Sequence, residues 1–551
     1  MSDTLSPHPW LSLYGDAPAE LQPARGSVLD LFRDAVKTSP GATAIIYFDR
    51  RLTYSELDEA SEALAGWLLE QGTKAGDRVA VVLQNDPQFV IAMLAAWKAG
   101  AVPVPMNPMY RTSELTGLFG DCAPRFIFCY ANDADVVQKA VDAAGSGSAL
   151  VVCSPRNYQS RDDERVLPPE CPVPDGYISF PEAIEAGKNR PVPAVSPASG
   201  DLGLILYTSG TTGKPKGAMA RHHALAFNGN TIVEWCELDA DTRILAIAPL
   251  FHITGVVCHV AAAFAAGCSM ILNYRFEAAS VLDAIRSARP TYTIGAITVF
   301  NALMNTPGAQ KDDFGCFESV YSGGAPIPPS LRTEFLERMG LLIHTSYGMT
   351  ETSAPTHLCP LEVEAPVDPE SGALAIGIPV YNTEAKVIDE QGHRAPPGVA
   401  GELCLKGPQI TMGYWNQPDQ TAEALVDGWL HSGDIAVMDE AGWFYLVDRK
   451  KDVIIASGFK VWPREVEDVL YTHPAVRETA VIGVADPYRG ETVKAYVSLK
   501  PDAKADPAEF QAYCKERLAS YKVPKMVEVL DDLPKTVTGK IQRNVLRDQN
   551  T

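Results

Sequence analysis

Nowhere in the 551 residues do two cysteines stand as a CxxC pair, and the eleven cysteines are scattered along the chain. An odd, scattered set argues against a disulfide framework and fits reduced thiols in the cytoplasm. Basic charge is also scarce. Against 68 Asp and Glu there are 47 Lys and Arg, and the formal charge of −21 argues against nucleic acid or an anionic membrane surface as partner. The stretch MSDTLSPHPW has neither a basic n-region nor an apolar h-region, so no secretory signal is expected. Ile244 to Tyr274 contains no Asp, Glu, Lys or Arg and is long enough to span a bilayer. Pro249, His252, Gly255, His259 and Gly267 interrupt it. It reads instead as a buried strand, a loop, an Ala-rich helix and a second strand, with no transmembrane segment. No internal repeat is visible.

What is present is an ordinary globular composition, 46% hydrophobic and 21% charged, in a chain too long for one core. Thr53-Tyr54-Ser55-Glu56 is a capping box, followed by Leu57, Ala60, Leu64 and Trp67 at helical spacing. Val79 to Leu83 reads as a strand, Pro87 to Lys98 as a helix stopped by Gly100, and Ala101 to Pro105 as another strand. That alternation predicts a mostly parallel α/β sheet. Ser154 to Gly176, rich in proline and charge, is a surface excursion, and Arg190 to Gly200 is a loop. Short turn-rich strands (Gly401 to Lys406, Trp443 to Val447) precede a shift near Asp448. Beyond it, helices at Pro463 to Tyr471 and Pro507 to Ser520, with strands at Thr479 to Val484 and Lys494 to Leu499, have the size of a small α+β domain. The division expected is 1–448 and 449–551.

Tyr207 to Gly217, YTSGTTGKPKG, holds three glycines, four Ser/Thr hydroxyls and two lysines. Such a loop can wrap backbone N–H groups around phosphate oxygens while Lys214 and Lys216 add positive charge. It is not a Walker A loop, because Pro215 follows Lys214 where that pattern needs Ser or Thr. The apolar run Leu202 to Leu206 before it reads as a buried strand, which places the loop at a strand end, where open α/β sheets bind ligands. Taken alone, a Gly/Ser/Thr/Lys run is more often a solvated loop.

This string resembles the phosphate loop of the adenylate-forming superfamily, which includes acyl-CoA synthetases, peptide-synthetase adenylation domains and firefly luciferase. Further motifs follow in order. Tyr347-Gly348-Met349-Thr350-Glu351, after an expected strand Leu341 to Ile343, resembles a second core motif, and Ser322-Gly323-Gly324-Ala325-Pro326 a third. His431-Ser432-Gly433-Asp434, Asp448-Arg449-Lys450-Lys451-Asp452 and Pro534-Lys535-Thr536-Val537-Thr538-Gly539-Lys540-Ile541 complete the set. The resemblance runs from about Thr53 to Arg543. It implies an α/β fold with a large N-terminal domain of layered sheets and helices and a small mobile C-terminal α+β domain.

It also implies a site. The nucleotide would contact Thr208, Ser209, Gly210, Thr211, Thr212, Gly213 and Lys214, then Gly323, Gly324, Ala325, Ser346, Tyr347, Gly348 and Thr350. Asp434 and Arg449 would take the ribose. Glu351, a hard oxygen donor, would hold Mg²⁺ with Thr208. Lys451 falls at the hinge position, and Lys540 aligns with the lysine that closes the site. The chemistry needs that cation, since a carboxylate attacking the α-phosphate meets repulsion from the triphosphate.

Pro249 to Gly255 resembles the segment where amino-acid-activating members place an Asp for the α-ammonium. Here stand Phe251 and His252, with no carboxylate, and a buried ammonium without a counter-charge is costly. His252 is either a satisfied core histidine or an aromatic gate between acyl and thiol sites. The acyl pocket implied by the resemblance draws on His252, Thr254, Cys258, Gly295, Ala296, Ile297, Val299, Gly323 and Gly348. Small residues at Gly295 and Ala296 suggest a deep slot for an apolar acid: a medium- to long-chain fatty acid first, an aryl or cinnamate-like acid second. Ser457, Gly458 and Lys460 resemble the loop flanking the pantetheine channel, although Ile455 departs from the lysine many fatty-acid and plant-type ligases carry. ATP, Mg²⁺ and coenzyme A are thus the implied cofactors. A carrier-protein acceptor, a luciferase-like oxidoreductase, a non-catalytic acyl-nucleotide binder and a homodimer stay open.

Overall fold

The computed structural model describes the chain apart from residues 1–7, 23–25, 194–195, 209–214, 370, 450–451, 457–458, 487–489, 537–538 and 551. The capping box forms as its residues require. Thr53 Oγ1 accepts from the Glu56 amide at 3.1 Å, and a Glu56 carboxylate oxygen accepts from the Thr53 amide at 2.8 Å. The helix it starts, Tyr54–Glu70, packs on Pro87–Lys98, which opens with Asp86 as N-cap and Pro87 in its first turn and is buried along its whole length. A helix apolar on every side belongs inside a domain.

On one side of that helix pair lies a five-stranded, all-parallel sheet. Its order is Val102–Pro105, Arg78–Val82, Phe126–Tyr130, Ala149–Cys153 and Ile178–Ser179. A nine-stranded sheet forms the second layer. Its central strands, among them Arg243–Leu245, Tyr292–Gly295, Ser319–Ser322 and His344–Met349, run parallel, and both edges are antiparallel. An antiparallel sheet built on Glu384–Ile388, Gly401–Lys406, Trp429–Met438 and Phe444–Arg449 completes the large domain. The small domain has its own sheet and its own core, in which Val466, Leu470, Val481, Val493 and Phe510 are buried.

Two expectations need correction. Leu202 to Leu206 is the expected buried strand, but it does not belong to an open α/β sheet. It pairs antiparallel with Lys216–Arg221 as a separate hairpin, so the phosphate loop is the tip of a ribbon. Leu341 to Ile343 is not a strand. The Ile343 carbonyl accepts from Arg332 Nε at 3.2 Å, and ladder pairing begins at His344, so Tyr347, Gly348 and Met349 ride on the strand itself. The charge-free segment is a strand, a loop, a helix whose first part is a π-helix (Gly255–Ala261), and a second strand. Among the described residues no helix is long and apolar enough to cross a membrane, and all eleven cysteines are free thiols.

An amino-terminal arm straps the large domain together. Trp10 is buried edge-on against Phe444, with ring centroids 5.9 Å apart. Gly442 lets it in, since a Cβ there would lie 2.4 Å from the Trp10 amide nitrogen. Tyr14 donates to the Pro379 carbonyl at 2.7 Å, and the Leu21 amide donates to Asn382 Oδ1 at 2.8 Å.

Candidate active site

Between the two domains lies a cleft of about 1710 Å³. The ends of the central strands of the nine-stranded sheet deliver the large-domain wall. Of the residues singled out in the sequence, Thr208, His252, Thr254, Cys258, Gly295, Ala296, Ile297 and Val299 line it. So do Gly323, Gly324, Ala325, Ser346, Tyr347, Gly348, Thr350, Glu351 and Asp434. From the small domain Thr536, Gly539 and Lys540 face the same space. Ser209 to Lys214, Lys451, Ser457, Gly458 and Thr538 lie outside the described residues. Arg449 is opposite Asp434 in the strand ladder, and Lys460 is opposite Ile455; their side chains are likewise outside the description.

Two carboxylates are held at the cleft wall by phenols. Tyr347 donates to Asp434 Oδ2 and Tyr414 to Glu351 Oε1, each at 2.7 Å. Both carboxylates are buried, and the Thr411 amide donates to the Glu351 carbonyl at 2.7 Å, fixing the short turn that carries it. Tyr414 also lies under Lys216, whose Nζ is 5.0 Å from the ring centroid, a cation–π distance. Sequence reading missed Tyr414, which is far from Glu351 along the chain; only its place at a Gly-Tyr-Trp turn marks it.

The glycines of this wall are there for space. A Cβ on Gly348 would sit 2.2 Å from the Ala354 carbonyl oxygen, and one on Gly323 would sit 2.8 Å from that of Ser346. At Gly295 the space is already taken. A Cβ would meet Ile247 Cδ1 at 2.7 Å, so the deep slot suggested by Gly295 is closed by Ile247 at that point.

His252 accepts the Thr254 amide on Nδ1 at 3.3 Å, with Thr254 Oγ1 3.2 Å from the same nitrogen, which leaves Nε2 carrying the proton. Burial, and then the charge of Lys540, push its pKa down to about 4, so the ring is neutral near pH 7. Lys540 is presented by a tight turn. The Thr536 amide donates to the Lys540 carbonyl at 2.7 Å and the Lys540 amide to Thr536 Oγ1 at 3.1 Å, with Gly539 at φ +81°. Gly539 presses on the large domain where the helix Ile297–Met304 begins, with Thr298 Oγ1 3.4 Å from its carbonyl oxygen. A Cβ there would lie 2.3 Å from that hydroxyl. A side chain on residue 539 would hold the lysine out of the cleft.

Glu351 suits a magnesium ion in one respect: it is a single buried carboxylate facing the cleft, and Mg²⁺ is held by one or two carboxylates plus substrate phosphates. Among the described residues no cluster of three or more His, Cys, Asp or Glu forms an all-protein metal cage.

Residues 32–415 match the family described as AMP-binding enzyme, and residues 465–540 match the AMP-binding enzyme C-terminal domain. A long-chain-fatty-acid–CoA ligase of Bacillus subtilis (strain 168) is 35% identical over 564 residues, covering 99% of each chain. A feruloyl-CoA synthase of Amycolatopsis is 36% identical over 513 residues, 93% of this chain and 96% of that one. The crystal structure of ATP-bound MatB from Rhodopseudomonas palustris superposes with a TM-score of 0.84 at 30% identity, covering 95% of this chain and 98% of that one.

Proposed function

Because this chain belongs to the AMP-binding enzyme family, we propose that it is an AMP-forming acid–thiol ligase that joins an apolar carboxylic acid to coenzyme A in the cytoplasm. The single observation carrying the reading is the meeting of Lys540 with the large-domain wall, opposite a cleft lined by Glu351, Asp434 and a neutral His252. The acid's carboxylate oxygen attacks the α-phosphorus of ATP, and pyrophosphate leaves. Lys540 neutralises charge gathering on the attacking and phosphoryl oxygens, while Asp434 with Tyr347 holds the ribose and Thr350 the α-phosphate. Mg²⁺, held by Glu351 and Thr208, would spread the charge of the departing pyrophosphate. The coenzyme A sulfur then attacks the acyl carbon, AMP leaves, and the thiol proton passes to solvent.

For this second step the small domain, taken as residues 449–551, turns about Lys451 and brings Ser457, Gly458 and Lys460 to the thiol arm. His252 stands as the gate between acyl and thiol sites. Its neutral ring can hydrogen-bond without placing a second cation beside Lys540.

The acid favoured is a medium- or long-chain fatty acid. The acyl wall formed by Ile247, Cys258, Ile294, Ile297 and Val299 offers no charge, and the fatty-acid ligase matches end to end. The feruloyl-CoA synthase at similar identity supports an aryl acid as the second reading. The deciding experiment measures AMP and acyl-CoA from ATP, Mg²⁺ and coenzyme A across fatty, cinnamic, benzoic and amino acids. Adenylate formation with transfer only to a carrier protein, or light with oxygen uptake, would overturn the coenzyme A reading. No AMP from any acid would overturn it altogether.

A further inference from the structure

Resting on the carboxylic-acid reading of the cleft, we infer that Ile247, seated against Gly295 and clamped by Asn85, ends the acyl pocket and sets the largest acid the enzyme accepts. Ile247 lies just beyond the strand Arg243–Leu245, is 6% exposed, and faces the cleft. Gly295 closes the neighbouring strand Tyr292–Gly295, and the two residues meet where those strands end. A Cβ on Gly295 would lie 2.7 Å from Ile247 Cδ1 and 3.1 Å from Cγ1, so the isoleucine fills the volume that the glycine leaves.

The backbone around Ile247 is fixed from both sides by one side chain. Asn85 Nδ2 donates to the Ala246 carbonyl at 2.8 Å and to the Ala248 carbonyl at 3.0 Å, the two residues flanking Ile247. Asn85 Oδ1 accepts from the Leu250 amide at 2.8 Å. Asn85 is itself tied to Tyr274 by two backbone hydrogen bonds, at 2.8 and 3.0 Å, and the Ala248 amide donates to His259 Nε2 at 3.3 Å. With the amide group of Asn85 spent on this loop, an arriving acid cannot widen the pocket by moving main chain at low cost. Only the side chain of Ile247 can answer, and a β-branched side chain has few rotamers to offer. The same clamp leads into His252, so the stop of the acyl pocket and the ring proposed as gate hang from one loop.

The test uses full-length wild-type enzyme, Ile247→Ala, Ile247→Val and Gly295→Ala. Pyrophosphate release gives kcat/KM for saturated straight-chain acids of increasing length and for cinnamic acids with growing ring substituents. Against the wild type's best acid, Ile247→Ala should raise the relative kcat/KM of the next larger acids by about tenfold or more, the scale of a methylene or two in an apolar pocket. Ile247→Val should shift it the same way by less. Gly295→Ala, whose new methyl drives Ile247 inward, should shift preference to smaller acids. Unchanged ratios in variants that melt within a few degrees of wild type would overturn the inference, as would Gly295→Ala moving in the same direction as Ile247→Ala. Should Ile247→Ala fail to fold, Ile247→Val and Gly295→Ala decide by their opposite signs. No pyrophosphate from wild type with any acid would instead remove the ligase reading, and the pocket assignment with it.

Discussion

The two walls of the cleft are built on different physics. On the large-domain side neutral contacts shape the pocket, with Asn85 holding main-chain carbonyls, phenols holding Asp434 and Glu351, and His252 stripped of charge. Along the small-domain face runs a chain of ion pairs. Arg547 meets Asp452 at 2.7 Å, and Arg543 meets Asp452 at 3.4 Å and Glu467 at 2.6 Å, with a second bond to Glu467 from Nε at 3.0 Å. Glu467 also accepts the Val481 amide at 2.7 Å. Asp452 directly follows the proposed pivot, and Arg543 lies three residues beyond Lys540. The first wall is shaped by hydrogen bonds and packing; on the second, ion pairs tie the start of the small domain at Asp452 to the segment that follows Lys540.

The contrast is most easily broken at its tip. Lys540→Ala should lower adenylate formation by about a hundredfold or more, the scale of one lost electrostatic stabiliser. Thioester formation from supplied acyl-adenylate should be spared, and equal losses in single-turnover assays of both half-reactions would refute the division of labour. Arg543→Ala comes next. It leaves the buried Glu467 without its bidentate partner, so the small domain's melting temperature should fall and adenylation should drop about tenfold, following the loss of an aligned charge pair. Arg543→Lys, which cannot make the fork, should recover stability more than rate. Asp434→Asn tests the large-domain wall. It should raise the KM for ATP by about tenfold, the worth of a charge-assisted hydrogen bond, and leave the KM for the acid unchanged.

The smallest effect is on stability against pH. Burial holds His222, His252 and His344 down to about 4 and His259 and His357 to about 3, against an ordinary 6.5. The unfolded chain binds these protons before the fold does. The stability they give is therefore complete above pH 6.5 and is lost progressively as pH falls from 6.5 towards and through the folded values. All five lie in the large domain, where the buried Asp86, raised to about 7, opposes them only in part. In the small domain burial raises Asp468 to about 7, so acidification there favours the fold. Calorimetry between pH 7 and 5 should show the large-domain transition falling further than the small-domain one.

What was legible in the sequence was local or motif-bound. The capping box at Thr53 and the helix Pro87–Lys98 rest on short-range sterics and hydrogen bonds, which a string of residues records directly. Tyr347, Glu351 and Asp434 were named from their motifs, and the fold brings them to one cleft. What escaped depends on partners far along the chain. Nothing near Asn85 says that it will grip residues 246 to 250, and a glycine at 295 reads as empty space until Ile247 is seen to fill it. Leu202 to Leu206 was legible as a buried strand, but its hairpin partner Lys216–Arg221 was not, because a short apolar run carries no record of which neighbour it will pair with.

The strap formed by Trp10, Tyr14 and Leu21 has a consequence for how the protein is made. Its partners at Pro379, Asn382, Gly442 and Phe444 are synthesised hundreds of residues later, at a few to some twenty residues per second. For tens of seconds two bulky rings near the start of the chain have nowhere to dock. The strand Phe444–Arg449 is the piece that receives Trp10, while Tyr14 settles against Trp235 and Tyr381. The strand that receives Trp10 is thus among the last parts of the large domain to be synthesised, and its arrival buries an indole that a nascent chain would expose to chaperones.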